Sequence, residues 1–311
     1  MTAQPTDTGS VVVIGELLVD IVHTPDGASA EHVGGSPANV ALGISRLGHE
    51  TCFATLVGSD ARGLRCREHV EAGGVRLLPG STSDAHPTST AVATLDESGA
   101  ASYVFDLHWN LPPVQLPADT VHVHTGSIAT TLEPGEAEVT AALRRARPTA
   151  TVSYDPNARP TIMGEPDDVR RRVEELVALS DVVKCSEDDI HWLYPGDDPA
   201  TVMARWVGLG AGLAVVTLGG DGVAWRTARG EQANEEARVK DVVDTVGAGD
   251  SFMAGLVSGL LDLGLLGGPG ARERLRAAGL QDVHPAIDRA LATSGLTVRR
   301  AGAYAPTREE I

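Results

Sequence analysis

A run of small residues in the last third of the chain contains the side chain best suited to chemistry. The sequence DTVGAGDSF, residues 244–252, leads into an apolar stretch with helical spacing. Small residues before a helix leave backbone N–H groups open at the positive end of its dipole, which favours an anion. The small residues before this helix therefore predict an anion hole. Asp250 would either accept a proton from a hydroxyl that attacks a phosphoryl group there, or simply cap the helix.

A second motif, GGSPAN at residues 34–39, precedes another helical pattern. Gly34 and Gly35 permit a tight turn or a close approach of the backbone to a ligand, and Pro37 suits a first helical turn. Asn39 offers both a hydrogen-bond donor and an acceptor. Taken alone, the motif indicates a strand-to-helix turn that either contacts a ligand or only reverses the chain.

The elements that must position these motifs follow from hydrophobic patterning. Unbroken apolar runs, typical of strands buried on both faces of a parallel sheet, occur at residues 11–14, 52–57, 121–123, 151–154, 181–183 and 213–218. Helical patterns lie between them, for example at residues 40–47 and 169–179, so the chain is predicted to be a doubly wound α/β protein.

Two segments interrupt this alternation. Residues 20–33 and 88–109 have the pattern of short strands with turns, and the second segment contains a predicted turn at 96–99. A small sheet projecting from the main domain is expected from them, and such a sheet could close over a site as a lid.

The two motifs together resemble the two signatures of the ribokinase-like, or PfkB-type, carbohydrate kinases. Further matches follow in order along the chain: GELLVD at 15–20, DPNARP at 155–160, KCSEDD at 184–189, TLG at 217–219 and GAYAP at 302–306. The resemblance implies one ribokinase-like domain over residues 1–311, a three-layer α/β/α fold with a mainly parallel central sheet. It also implies a small β-sheet lid built from segments at about 20–34 and 87–110.

The resemblance implies ATP-dependent phosphorylation of a sugar hydroxyl with Mg²⁺ as cofactor. Asp250 would be the base, and Gly247, Ala248 and Gly249 would stabilise the transferring phosphoryl group. The implied sugar-binding residues are Asp20, Gly34, Gly35, Asn39, Phe105, Arg159 and Asp250. The implied nucleotide-binding residues are Lys184, Ser186, Thr217, Gly219, Gly222, Gly247 and Gly249. Phe105 has a second interpretation, as lid packing or a dimer contact.

Two parts of the implied site stay open. Many relatives use a monovalent cation, and the matching positions for K⁺ are Asp244, Val246, Thr297, Arg300 and Gly302. The family usually has Asn where Ser186 stands and Glu where Asp189 stands, which leaves the roles of these two residues undecided.

The motifs resemble most closely the fructokinase and 2-keto-3-deoxygluconate kinase branch. We expect a fructokinase-like enzyme, with 2-keto-3-deoxygluconate kinase as the alternative and a ribokinase or nucleoside kinase behind it. An acidic sugar would need a cation, for which Arg159 is the candidate, although Arg159 could equally hold its own loop. A non-catalytic sugar-binding regulator is the alternative from another class, and the intact Asp250 argues against it.

Composition excludes several other classes of protein. The 311 residues include 42 acidic and 25 basic side chains, a formal charge of −17, which disfavours nucleic acid and anionic membranes as partners. Lys184 and Lys240 are the only lysines and neither lies in a Walker A motif. Three scattered cysteines and a polar amino-terminal segment favour a cytoplasmic protein without membrane spans. A homodimer formed through the lid is left open.

His122 and His124 alternate on a predicted strand and therefore point to the same face. They could form a metal pair, but histidines on a buried strand more often have a structural role or line a pocket.

Overall fold

The computed structural model describes residues 9–96, 101–239 and 241–311. Its strands are β1 (Ser10–Ile14), β2 (Leu18–His23), β3 (Ser29–Gly34), β4 (Thr51–Ala54), β5 (Val57–Gly58), β6 (Arg76–Leu77), β7 (Thr82–Ser83), β8 (Thr90–Leu95), β9 (Ala101–Asp106), β10 (Thr120–Gly126), β11 (Thr151–Asp155), β12 (Val182–Ser186), β13 (Leu213–Thr217), β14 (Val223–Thr227) and β15 (Gln232–Glu235). Its helices are α1 (Ser36–Arg46), α2 (Ala61–Ala72), α3 (Gly135–Ala146), α4 (Pro160–Met163), α5 (Pro166–Leu179), α6 (Glu187–Leu193), α7 (Pro199–Leu209), α8 (Ala248–Asp262), α9 (Pro269–Ala277) and α10 (Leu280–Thr297).

Nine strands form the central sheet, in the order β15-β14-β13-β12-β11-β10-β1-β4-β6. The pairs from β13 to β6 are parallel, and only β14 and β15 at one edge are antiparallel. Each apolar run predicted as a buried strand contributes to this sheet, although the run at 52–57 ends as β4 at Ala54 and resumes separately as β5. The predicted mainly parallel α/β fold is confirmed.

Alternate residues of the central strands face two different cores, which makes the fold three-layered. On β1, Val11 and Val13 pack with α1, α2, α8, α9 and α10, whereas Val12 and Ile14 pack with α3, α5, α6 and α7. The apolar run at 11–14 is unbroken because helices cover both faces of the strand. In the described ranges, no helix combines the length and the apolar character that a membrane span requires.

A separate four-stranded sheet has the order β3-β2-β8-β9. The hairpins β2–β3 and β8–β9 are antiparallel, and a parallel β2–β8 pair joins them. These strands come from the two segments that interrupt the α/β alternation. Most of the turn predicted at 96–99 lies outside the described residues.

Glycines allow α8 to pack very closely against α10. A Cβ on Gly255 would lie 2.4 Å from the Thr293 hydroxyl, and one on Gly259 would lie 2.6 Å from the Ala286 Cα. Gly43 of α1 approaches the other side of α8, since its Cβ would lie 2.5 Å from the Ala254 Cβ. These contacts leave α8 almost no room to shift along or away from its neighbours.

We predict that Gly255→Ala and Gly259→Ala destabilise the protein by about 1–3 kcal/mol through overpacking. The loss should occur even though alanine in a helix is favoured over glycine by about 1 kcal/mol. Gly208→Ala is the matched control, because Gly208 is also helical but a Cβ there would have no other atom within 4 Å. Thermal unfolding should give lower midpoints for the first two variants and an equal or higher one for the control. Equal midpoints for all three would contradict the packing argument.

Candidate active site

The carboxyl ends of the parallel strands meet the amino terminus of α8 at one edge of the sheet, where α/β proteins commonly bind ligands. A cleft of about 500 Å³ opens there. Among the residues expected to bind nucleotide, those lining this main cleft are Lys184, Ser186, Thr217, Gly219, Gly222 and Gly249. Gly247 lies just outside it as the N-cap of α8, in the left-handed conformation with φ 74°.

The Asp250 carboxylate lies in the first turn of α8 but does not cap that helix. Ser36 donates a hydrogen bond to its Oδ1 at 2.6 Å, and the Asn39 amide donates one to its Oδ2 at 2.8 Å. Both donors come from α1, so the GGSPAN and DTVGAGD motifs meet directly at this carboxylate. The side chain of Asp250 is therefore oriented across the site, and the capping interpretation is wrong.

A buried ion pair lies beside the open end of α8. The Lys184 ammonium donates to the Asp155 carboxylate at 2.9 Å, and a Cβ on Gly249 would lie only 3.0 Å from Lys184 Nζ. Burial raises the pKa of Asp155 to about 6. Burial also opposes the charge on Lys184, but the facing carboxylates of Asp155, Asp189 and Asp250 outweigh it and raise the pKa of Lys184. The Lys184 ammonium therefore places a positive charge beside the backbone of Gly249, at the start of α8.

Ser186 and Asp189 form a reciprocal cap at the start of α6. The Ser186 hydroxyl accepts from the Asp189 N–H, while Asp189 Oδ2 accepts from the Ser186 backbone N–H at 2.7 Å. The other carboxylate oxygen, Oδ1, accepts the Ala158 N–H at 2.6 Å. Asp189 therefore ties the DPNARP loop to the helix that borders the main cleft, which gives both residues a structural role.

The Asp20 carboxylate lies in the space left by a glycine. Asp20 is on β2, and a Cβ on Gly34 of the neighbouring β3 would lie 2.0 Å from Asp20 Oδ2. Burial raises the pKa of Asp20, while His32 and Arg159 oppose that rise through their charge. Arg159 donates to the carbonyls of its own loop and to the Asn157 side chain at 2.8–3.2 Å.

Phe105 lies on the same face of the small sheet as Asp20. Asp20 pairs with Ala91, and Ala91 pairs with Phe105, so the three side chains form one row across the strands. The Phe105 ring stacks on Tyr103 with centroids 5.9 Å apart. The geometry is compatible with both interpretations of Phe105: its ring covers the bound sugar, or it only packs within the small sheet.

One wall of the main cleft comes from elements that sequence reasoning did not include. The apolar and small residues of this wall are Ala237, Val239, Val242, Leu291, Gly295 and Val298. They come from the segment after β15 and from α10, which meet because a Cβ on Gly295 would lie 2.8 Å from Val239 Cγ2. Such a wall suits a flat aromatic group. Gly222 turns the chain at φ 104°, with the Glu235 carbonyl 2.0 Å from where its Cβ would be.

The residues expected at a monovalent cation site are brought together around Asp244. Its carboxylate accepts the N–H groups of Val246 at 3.0 Å and Gly302 at 2.8 Å, and these bonds lower its pKa. The Thr297 hydroxyl donates to the Tyr304 carbonyl, and the Arg300 guanidinium lies 3.8 Å over the Tyr304 ring. The 302–303 loop also packs against the amino terminus of α8, since a Cβ on Gly247 would lie 2.6 Å from the Ala303 Cβ.

His122 and His124 are buried in a hydrogen-bonded chain. His122 contacts the hydroxyls of Thr151 and Ser153, and His124 shares Ser153. Burial lowers the pKa of each imidazole to about 3. In the described ranges, neither histidine belongs to a group of three metal-ligating side chains.

Glu16 is a buried carboxyl group at the end of β1 that sequence reasoning did not single out. It accepts the Ala129 N–H at 3.2 Å, and burial raises its pKa from 4.5 to about 7. The unfolded chain therefore ionises near pH 4.5 while the folded chain retains the proton, so this group reduces stability as the pH rises from about 4.5 to about 7.

We predict that Glu16→Gln, which cannot ionise, gains stability relative to the parent protein between pH 5 and pH 8. Thermal unfolding at both pH values measures the difference, and Glu68→Gln on the exposed side of α2 is the control. A difference between parent and Glu16→Gln that does not change with pH would contradict the assigned shift.

Comparison with known proteins agrees with this geometry. Residues 8–310 match the model of the pfkB family carbohydrate kinases. The chain is 35% identical over 270 residues to a fructokinase of Klebsiella pneumoniae, covering 83% of this chain and 86% of that protein.

Solved structures show the same similarity. A fructokinase from Xylella fastidiosa with bound ATP superposes with a TM-score of 0.86 at 25% identity, covering 97% of this chain and 96% of the other. A double mutant of the Vibrio cholerae fructokinase, with fructose, ADP and potassium bound, has a TM-score of 0.78 at 27% identity, covering 96% and 94%. The protein belongs to the PfkB family of carbohydrate kinases.

Proposed function

We propose that this protein is an ATP-dependent fructokinase that transfers the γ-phosphoryl group to a fructose hydroxyl. The observation that carries the proposal is the Asp250 carboxylate, held by Ser36 and Asn39 beside the open amino terminus of α8. A fructokinase needs a base for the attacking hydroxyl and donors for the charge on the phosphoryl group. Both are available here within one helical turn.

In the proposed mechanism the sugar binds between the small sheet and α1, and its attacking hydroxyl faces Asp250. Ser36 and Asn39 each bind one carboxylate oxygen, so Asp250 presents a remaining lone pair in a fixed direction. Asp20, Gly34 and Gly35 would hold other sugar hydroxyls, with Gly34 leaving the space that the Asp20 carboxylate occupies. Asp250 then accepts the hydroxyl proton as the oxygen attacks the γ-phosphorus.

The anion hole and Lys184 supply the electrostatic part of the mechanism. Of the three expected donors, the Ala248 N–H already donates to the Thr245 carbonyl at 3.2 Å. The N–H groups of Gly247 and Gly249 would donate to the oxygens of the transferring group, with the Lys184 ammonium close to Gly249. The adenine would lie against the apolar wall that Val239 and Leu291 help to form.

The residues present fit a magnesium ion at the phosphate end of the cleft. Asp155, Asp189 and Asp250 face Lys184 and each acts on its charge, leaving an excess of carboxylate oxygens, the donors that Mg²⁺ prefers. Asp189 accepts three hydrogen bonds within the protein, two of them on Oδ2, whereas Asp155 accepts a single one on each oxygen, from the Asn157 N–H and from Lys184. We therefore assign the nearest support of the ion to Asp155. When bound, Mg²⁺ would neutralise charge on the phosphates.

Charges around the sugar pocket favour a neutral sugar over 2-keto-3-deoxygluconate. An acidic sugar would bring its carboxylate close to Asp20 and Asp250. Arg159, the candidate cation for such a substrate, is occupied with Asn157 and with carbonyls of its own loop. Fructose is uncharged and needs no cationic side chain in the pocket, which agrees with the fructokinases among the relatives.

The proposal extends to a potassium ion, a dimer and a cytoplasmic location. Asp244 joins the two loops expected to provide carbonyl ligands, and a fructokinase with potassium bound is among the similar structures.

β9 is an edge strand of the small sheet, and Tyr103 and Val104 on it are 57% and 68% exposed, so pairing of this sheet with a second copy would cover them. Buried free cysteines suit a reducing compartment.

The proposed substrate is tested by a coupled assay of ADP release over fructose, 2-keto-3-deoxygluconate, ribose and adenosine, each with K⁺ or Na⁺. We expect the highest kcat/KM for fructose and faster turnover in K⁺. Preference for 2-keto-3-deoxygluconate would overturn the charge argument. Tight sugar binding by calorimetry without ADP release would instead support a binding regulator.

We predict that Asp250→Asn lowers kcat by roughly 10²–10⁴-fold, because the amide cannot accept the hydroxyl proton. ADP affinity, measured by calorimetry, should stay within about threefold of the parent value, since the anion hole is backbone. Near-full activity of this variant would remove Asp250 as the base.

A further inference from the structure

Three metal-ligating side chains converge where the end of β15 meets α10, the elements next to the wall of the main cleft. Glu235 ends β15, and His284 and Asp288 lie one turn apart on α10. One ligand atom from each residue lies within 4.8 Å of the other two. In the described part of the chain, this is the only group of three His, Cys, Asp or Glu side chains that meets this condition.

The donors suit a transition metal such as Zn²⁺ better than Mg²⁺. Zinc takes imidazole nitrogen together with carboxylate oxygen, and an i, i+4 pair on a helix places two ligands on one face. His284 Nε2 lies 3.1 Å from Glu235 Oε2, and His284 Nδ1 lies 3.6 Å from Asp288 Oδ2. The three side chains are between 22% and 41% exposed. An ion can therefore reach them from solvent and still be partly enclosed by protein.

Arg238 binds both carboxylates of this group. Its guanidinium donates to Glu235 at 2.6 Å and also to Asp288. A metal that binds these oxygens must compete with the guanidinium, because both are cations directed at the same carboxylates. Arg238 also lines the main cleft. Displacement of Arg238 from the group would therefore leave its charge beside the nucleotide.

We propose that Glu235, His284 and Asp288 form a site for Zn²⁺ or a similar divalent transition metal, in which the metal replaces Arg238 and releases it toward the nucleotide cleft. The metal site itself is independent of the enzyme's substrate. The released Arg238 acts on nucleotide binding, and that part rests on the proposed function.

The metal site is tested on the untagged, nucleotide-free protein by calorimetric titration with ZnCl₂. We expect one zinc site, and His284→Ala and Asp288→Asn should each lower its affinity by at least ~10-fold. A loss of that size is typical even when only a residue that orients a metal ligand is removed. Arg238→Gln should bind zinc more tightly than the parent, because the competing cation is gone. His191→Ala, which removes an exposed histidine of α6, is the control and should bind zinc like the parent.

A second readout comes from Trp225, whose ring lies 6.1 Å from the His284 ring. Titration with Cu²⁺, a fluorescence quencher, should lower tryptophan emission in the parent and much less in Asp288→Asn, which keeps the Trp225–His284 contact. Thermal unfolding of each variant shows whether it is folded. Zinc affinity that is unchanged in both His284→Ala and Asp288→Asn, or absent from the folded parent, would overturn the site.

The release of Arg238 is tested by ADP titration with and without zinc. Zinc should tighten ADP binding in the parent but not in Arg238→Gln. Zinc also binds ADP directly, and the same titration of His284→Ala, which has lost a ligand of the metal site, measures that contribution. An equal effect of zinc in the parent and in Arg238→Gln would overturn the release while leaving the metal site in place. Loss of ADP binding in every variant, without zinc, would instead contradict the proposed function.

Discussion

The position of α8 is the constraint on which the rest of the site depends. Glycines let α1 and α10 press against α8 at distances that a single methyl group would prevent. This contact brings Ser36 and Asn39 to the Asp250 carboxylate, in the first turn of α8. The glycines at these contacts therefore fix the position of Asp250, although Gly255 and Gly259 lie further along α8 and Gly43 lies on α1.

An acidic protein can bind a polyanion because the attraction is local. The formal charge of −17 is spread over the chain, whereas the end of the cleft beside α8 combines the helix amino terminus with the buried Lys184 ammonium. Lys184 keeps its charge because Asp155 is adjacent to it, and removal of either partner would leave the other buried alone. The carboxylates that hold the lysine are also the donors that a divalent cation would use.

The sequence could predict the features that depend on neighbouring residues. DTVGAGD indicates the amino terminus of a helix, and the apolar runs indicate a parallel sheet; the fold bears out both. Other features depend on residues far apart in the chain. Asp189 meets Ala158 across 31 positions, and the apolar wall of the cleft forms only where α10 packs on the segment after β15. Neither contact leaves a local pattern in the sequence.

The contact between Gly247 and Ala303 has a consequence for synthesis. The loop that packs against the amino terminus of α8 lies more than fifty residues later in the chain, and Arg308 binds the Leu47 carbonyl and Asp262. A growing chain on the ribosome can build most of the central sheet before these residues emerge. The amino terminus of α8 is therefore fully packed only after the 302–303 loop has folded onto it, so its formation depends on a contact between segments made far apart in time.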